Sequence, residues 1–216
     1  MRFCKEMLLL YAVTDSCPGS GISLCEQVEE ALRGGATIIQ LREKNIENKD
    51  YVKKAAEVKK ICKKYGVPLI VNDNVRVALE SGADGVHVGI DDTPVSEIRA
   101  MAPTDFIIGA TAKTVEQAGF AEKSGADYIG VGAVFPSPTK TNAIRITKEK
   151  LREIALSVNI PAVAIGGINA ENAIELKGAP IYGIAVVSAV FSQNDIRGAA
   201  ARLKRIAADL VNPADE

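Results

Sequence analysis

Short apolar runs alternate with longer amphipathic stretches along the whole chain. "LLLYAVTD" (8–15) is continuously apolar until its last residues, the pattern of a strand covered on both faces. In "SLCEQVEEALRGG" (23–35), Leu24, Val28, Ala31 and Leu32 recur at helical spacing, with Ser23 as N-cap and Gly34 as a stop. The same reading predicts strands over 37–43, 68–73, 85–89, 106–112, 128–134, 161–167 and 183–190. It predicts helices over 48–66, 75–82, 94–102, 114–125, 147–158, 170–178 and 195–210. The lysines of 48–66 read as a solvated outer face.

Fragments echo one another: "RGGATIIQL", "SGADGVHVG", "SGADYIGVG" and "KGAPIYGIAVV". Each is a helix exit, a glycine and a buried strand, and glycine at a helix exit is a C-cap device. Eight such strand–helix units in 216 residues fit a compact α/β fold, a single-domain (β/α)8 TIM barrel over 1–216. A doubly wound open sheet is the alternative. No linker or low-complexity tract marks a second domain.

Composition narrows the function. The chain is 47% hydrophobic and 25% charged, ordinary for a globular domain, with a net charge of −1. That balance offers no general surface for nucleic acid or membrane, although a local basic pocket for a small anion remains open. Cys4, Cys17, Cys25 and Cys62 form no C-x-x-C pair and read as free thiols of a reducing compartment. "MRFCKEMLLLYAVTDS" lacks a small-residue cleavage site and reads as a first strand, not a signal peptide. The expectation is a cytoplasmic protein. The oligomeric state is left open, a homo-oligomer included.

In such a barrel the chemistry sits at the C-terminal ends of the strands. Strand 2 ends in Gln40, Arg42 and Lys44, which alternation points to one side, a set suited to an anion. Strand 3 ends in Asn72, Asp73 and Asn74, and strand 4 runs through His87 to Asp91 and Asp92. Carboxylates at adjacent strand mouths can share Mg2+, which takes one or two carboxylates plus phosphate oxygens and water. Asx residues after a strand are also common helix caps. His87 reads as a packed, hydrogen-bonded side chain. Strand 5 ends in Thr111, Lys113 and Thr114, and strand 6 runs into "VFPSPTK", with Ser137, Thr139 and Lys140. Strand 7 ends in Gly166 and Gly167, and strand 8 in Val187 and Ser188, where backbone N–H groups can approach a phosphate. No Ser-His-Asp set, poised cysteine or strong base is present. Metal-assisted departure of diphosphate is the reaction class these residues match best.

"YAVTD", "QLREK", "VNDN", "GVHVGIDD", "GADYIGVGAVFPSPTK", "IPAVAIGGI" and "VSA", in this order from about residue 10 to 190, resemble the thiamine-phosphate synthase (thiamine-phosphate pyrophosphorylase) family. The resemblance implies a TIM-like barrel that joins a hydroxymethylpyrimidine diphosphate to a thiazole phosphate, giving thiamine monophosphate and diphosphate. It implies that Gln40, Arg42 and Lys44 face the pyrimidine diphosphate, with Asn72 on the diphosphate side. It implies Asp73 and Asp92 as Mg2+ ligands, and Arg42 and Lys140 as the catalytic cations. Ser137 and Thr139 would lie around the thiazole, Thr111 would hold substrate, and Gly167, Val187 and Ser188 would cradle the thiazole phosphate. Two positions depart from the family: Ile90 stands where glutamine is frequent, and Lys113 where strand 5 commonly carries a histidine. A thiazole tautomerase-like paralogue and a non-catalytic thiazole-phosphate binder are the alternatives, and an isomerase of tryptophan biosynthesis is a more distant one.

Overall fold

The computed structural model describes residues 2–15, 21–136 and 145–211. Eight parallel strands close into a barrel in chain order: β1 (Leu10–Val13), β2 (Ile38–Leu41), β3 (Leu69–Asn72), β4 (Gly85–Val88), β5 (Ile107–Ala112), β6 (Tyr128–Gly132), β7 (Ala162–Ile165) and β8 (Ile184–Val186). Closure pairs Leu10 and Tyr11 of β1 with Ile184 and Ala185 of β8. The open-sheet alternative is therefore excluded. Around the barrel run α1 (Leu24–Arg33), α2 (Asn48–Lys64), α3 (Val75–Ser81), α4 (Val95–Met101), α5 (Val115–Lys123), α6 (Lys148–Leu156), the short α7 (Ser188–Phe191) and α8 (Ile196–Val211).

The strands are apolar on both faces because each face meets its own core. Outward residues such as Ile39, Val71, Val86 and Ile129 pack under the helices. Inward residues, among them Tyr11, Ile38, Ile70, Ile107, Tyr128 and Val163, fill the barrel itself. Ser23 caps α1 as expected: its hydroxyl accepts from Glu26 N–H at 3.3 Å, and its N–H donates to the Glu26 carboxylate at 2.7 Å.

The echoed fragments have a structural cause at the N-terminal rim. Asp84, just before β4, accepts the Leu69 N–H at 2.7 Å and pairs with Lys59 of α2. Asp127, just before β6, accepts the Ile108 N–H at 2.7 Å and pairs with Arg99 of α4 at 2.8 Å. Thr37, just before β2, accepts the Leu10 N–H at 2.9 Å. At each position a polar side chain clasps the preceding strand.

Two expected elements differ. The helix over 170–178 is a single 3-10 turn, Ala173–Leu176. Asn169 and Asn172 take the local backbone for themselves: the Asn169 side chain accepts from Glu171 and Asn172 N–H at 3.0 Å, and the Asn172 side chain accepts from Asn169 N–H at 2.9 Å. Such side-chain bonds compete with helix. The strand over 183–190 stops at Val186, and the apolar run continues as α7 with Val190 and Phe191 buried. A short apolar run does not distinguish strand from helix. A 3-10 turn, Lys5–Leu8, also precedes β1. Among the described residues, no helix is long and apolar enough to cross a membrane.

Candidate active site

A cavity of about 360 Å³ opens at the C-terminal ends of the strands. Gln40, Arg42, Lys44, Asn72, Asp73, Asp92, Thr111, Gly167, Val187 and Ser188 all line it. Ser137, Thr139 and Lys140 lie outside the described residues. The backbone entering their segment is pinned at this mouth: Val134 N–H donates to the Ile165 carbonyl at 3.1 Å, and Phe135 N–H to Gly166 at 2.9 Å. Ile146, beyond the segment, donates to Ala133 at 2.9 Å.

The β2 side is cationic. Gln40 points inward and is 4% exposed, and Arg42 follows two residues higher, at the mouth. Thr14, fully buried, fixes that turn by accepting the Arg42 N–H at 3.0 Å. The Arg42 guanidinium is 4.0 Å from the Asp15 carboxylate. Lys113 brings a further cation to the wall, and the exposed Ile90 adds an apolar rim.

The acidic side belongs to β3 and β4. Asp73 has a left-handed backbone (φ 61°), which turns its side chain toward the loop after β4. Its N–H donates to the His87 carbonyl at 2.8 Å. Burial, and then the neighbouring negative Asp92, push the Asp73 carboxyl up to about 6. Asp92 accepts the Gly89 N–H at 2.6 Å. Neither aspartate caps a helix. Asn74 does so for α3, accepting the Val77 N–H at 3.0 Å. Two carboxylates held against each other, with no third histidine, cysteine, aspartate or glutamate grouped with them among the described residues, form a donor set for a hard cation that draws its other ligands from phosphate and water.

The opposite wall is backbone. Gly166 and Gly167 have positive φ (102° and 66°), and a Cβ on Gly167 would sit 2.1 Å from the Pro136 carbonyl oxygen. Asn172 donates to the Gly167 carbonyl at 2.9 Å, so the 3-10 turn holds this corner.

Beneath the mouth lies a polar chain that the strand ends do not reveal. Gln40, Tyr11, Tyr128, His87 and Thr111 are linked by successive hydrogen bonds of 2.7 to 3.2 Å. His87 is thus the hydrogen-bonded side chain expected. Burial pushes its imidazolium down to about 4, against a smaller opposing pull from Asp92, so the ring is neutral at pH 7. The sequence places Tyr11 and Tyr128 only within apolar strands, and an inward-pointing hydroxyl on a strand is the one signal that hints at more.

The thiamine monophosphate synthase family profile matches residues 10–190. A thiamine-phosphate synthase from Ruminiclostridium cellulolyticum is 51% identical over 91% of this chain and 94% of its own length. One from Coprothermobacter proteolyticus is 48% identical over 94% of this chain and 96% of its own. The solved structure of thiamine phosphate pyrophosphorylase from Pyrococcus furiosus superposes with a TM-score of 0.88 at 40% identity, covering 96% of this chain and 99% of that one. With the profile spanning most of the barrel and relatives this similar over nearly their full lengths, the chain belongs to the thiamine monophosphate synthase family.

Proposed function

We propose that the protein is a transferase that couples 4-amino-2-methyl-5-hydroxymethylpyrimidine diphosphate to a thiazole phosphate, giving thiamine monophosphate and diphosphate. The observation that carries this reading is that every expected site residue among the described residues lines one cavity, with cations and carboxylates on one wall and a backbone cradle on the other. Two anionic groups can be held there at once.

Arg42 and Lys44 hold the diphosphate, with Asn72 beside them. The pyrimidine methylene C–O bond breaks, and its electron pair leaves with the diphosphate. Arg42, and Lys140 from the segment that follows Phe135, stabilise the leaving charge. The 4-amino group of the ring carries the developing methylene cation. The thiazole nitrogen then supplies the pair for the new C–N bond, held by Gly167, Val187 and Ser188 at its phosphate and by Ser137 and Thr139 around its ring. No strong base is needed, which agrees with the neutral His87. Asp73 and Asp92 fit Mg2+: burial and then the neighbouring Asp92 charge raise the proton affinity of Asp73, and a bound cation would offset that cost. When bound, Mg2+ would neutralise the diphosphate. A cytoplasmic location and small-molecule partners complete the proposal.

The test is diphosphate release by purified protein with both substrates and Mg2+, against EDTA and single-substrate controls. Release that needs all three supports the coupling reaction. Release without metal removes Mg2+, and no release despite thiazole-phosphate binding moves the reading to a tautomerase or a binder.

A further inference from the structure

We propose that Tyr11, Tyr128 and His87 form a one-directional hydrogen-bond relay beneath the cavity, which fixes the Gln40 carbonyl as an acceptor and the Thr111 hydroxyl as a donor and so selects an aminopyrimidine edge over its oxo counterpart. The inference rests on the cavity being the substrate site.

The relay starts at Gln40, whose Nε2 donates to Tyr11 Oη at 2.7 Å. Tyr11 Oη lies 2.7 Å from Tyr128 Oη, which lies 3.2 Å from His87 Nδ1. His87 Nε2 lies 3.1 Å from Thr111 Oγ1. Tyr11 is 1% and Tyr128 0% exposed, so a hydroxyl proton without an acceptor would be costly at either. With Gln40 donating, Tyr11 passes its proton to Tyr128, and Tyr128 passes its own to Nδ1. A neutral imidazole has one N–H, which must then sit on Nε2 and donate to Thr111. The Thr111 hydroxyl proton is left to point into the cavity, as is the Gln40 carbonyl oxygen. Reversing any link reverses all of them, so the two wall groups change polarity together.

The barrel makes room for this chain. A Cβ on Gly109 would lie 2.2 Å from Tyr128 Cζ and 2.5 Å from His87 Nδ1. A Cβ on Gly130 would lie 3.0 Å from His87 Cε1. Phe3 stacks on the Tyr128 ring at 5.6 Å between centroids and holds it from below.

Gln40 lies below Arg42 on the inward side of β2, so a diphosphate held at the mouth places its ring against Gln40 and Thr111. An amino group donates to the fixed carbonyl, and a ring nitrogen accepts from the fixed hydroxyl. An oxo analogue, with an acceptor and a ring N–H, meets both groups with the wrong polarity. Tyr128 touches no substrate in this scheme and is a positioning residue.

The chain has a single histidine, so the relay can be read in the unmodified protein. Untagged protein labelled with 15N-histidine should show the neutral Nε2–H tautomer at neutral pH, free and with the pyrimidine diphosphate bound. An Nδ1–H tautomer overturns the proposal, whether or not the variants below fold. The second measurement compares inhibition by the 4-amino pyrimidine monophosphate and by its 4-oxo analogue. In Tyr128→Phe and Tyr11→Phe the preference for the amino compound should fall about tenfold, the worth of one buried hydrogen bond. A folded Tyr128→Phe with a lowered melting temperature and unchanged preference reduces Tyr128 to packing and overturns the relay. Failure of the wild type to bind either pyrimidine overturns the substrate assignment instead, a result that the tautomer readout keeps distinct.

Discussion

The carboxyl groups of Asp73 and Asp92 meet across the mouths of neighbouring strands, close enough for the second to raise the proton affinity of the first. Two like charges in this position require a cation or a shared proton. Asp92 contributes charge here and a turn bond to Gly89. Asp92→Ala should lower diphosphate release by roughly 10²–10³ while circular dichroism stays native, since the residue is exposed at a loop. Asp92→Asn keeps a turn acceptor and should lose nearly as much. Full activity in either variant removes the metal site.

Asp73 gives that pair a pH dependence. With its carboxyl pushed up to about 6, a proton occupies the site below that pH and must leave when Mg2+ binds. Apparent Mg2+ affinity should fall as pH drops through about 6. Calorimetry in buffers of different ionisation enthalpy should show proton release there and none near pH 8. In the metal-free protein the raised carboxyl binds its proton more tightly than the unfolded chain does. Its contribution therefore favours the fold at low pH and is lost as pH rises from the ordinary carboxylate range through about 6. Added Mg2+ should restore that stability at pH 7.

Lys140→Ala should slow the chemical step, seen in single-turnover diphosphate release, more than it weakens thiazole-phosphate binding. An effect confined to thiazole affinity would reassign the lysine.

Gly167→Ala places a Cβ against the Pro136 carbonyl at a left-handed backbone position. The corner must shift, and thiazole-phosphate affinity should fall by about tenfold or more, corresponding to roughly 1–3 kcal/mol of strain. The affinity for the pyrimidine diphosphate, bound on the other wall, should change little in the same titration.

At the far rim, Asp84→Ala would leave the Leu69 N–H and the Lys59 ammonium without their partner. A loss of about 2–4 kcal/mol in urea unfolding is expected, with kcat of the folded fraction retained.

Much of this was legible in the chain. Apolar runs interrupted by helical spacing point to all eight strands, and Gln40, Arg42, Asp73, Asp92, Gly167 and Ser188, read from the strand ends, line one cavity, whereas Asn74 and Thr114 cap helices. Alternation works for that purpose because it reports which way a side chain points. It does not report what the side chain meets. Tyr11 and Tyr128 stand 117 residues apart, and nothing in either strand announces that their hydroxyls touch. Gly109 drew no reading from the sequence, yet its missing side chain is the space two other side chains occupy. The expected seventh helix failed for a local reason, because Asn169 and Asn172 satisfy the backbone before a second turn can form.

The clasps at Thr37, Asp84 and Asp127 all lie at the end of the barrel opposite the cavity. Three of the strand pairs, β1–β2, β3–β4 and β5–β6, are thus clasped where no substrate arrives. The reactive mouth is correspondingly free to change: Ile90 and Lys113 line it and take no part in the three bonds that clasp the strands. A designer seeking a new ring specificity could redraw the upper loops wholesale and leave these three residues as the fixed foundation.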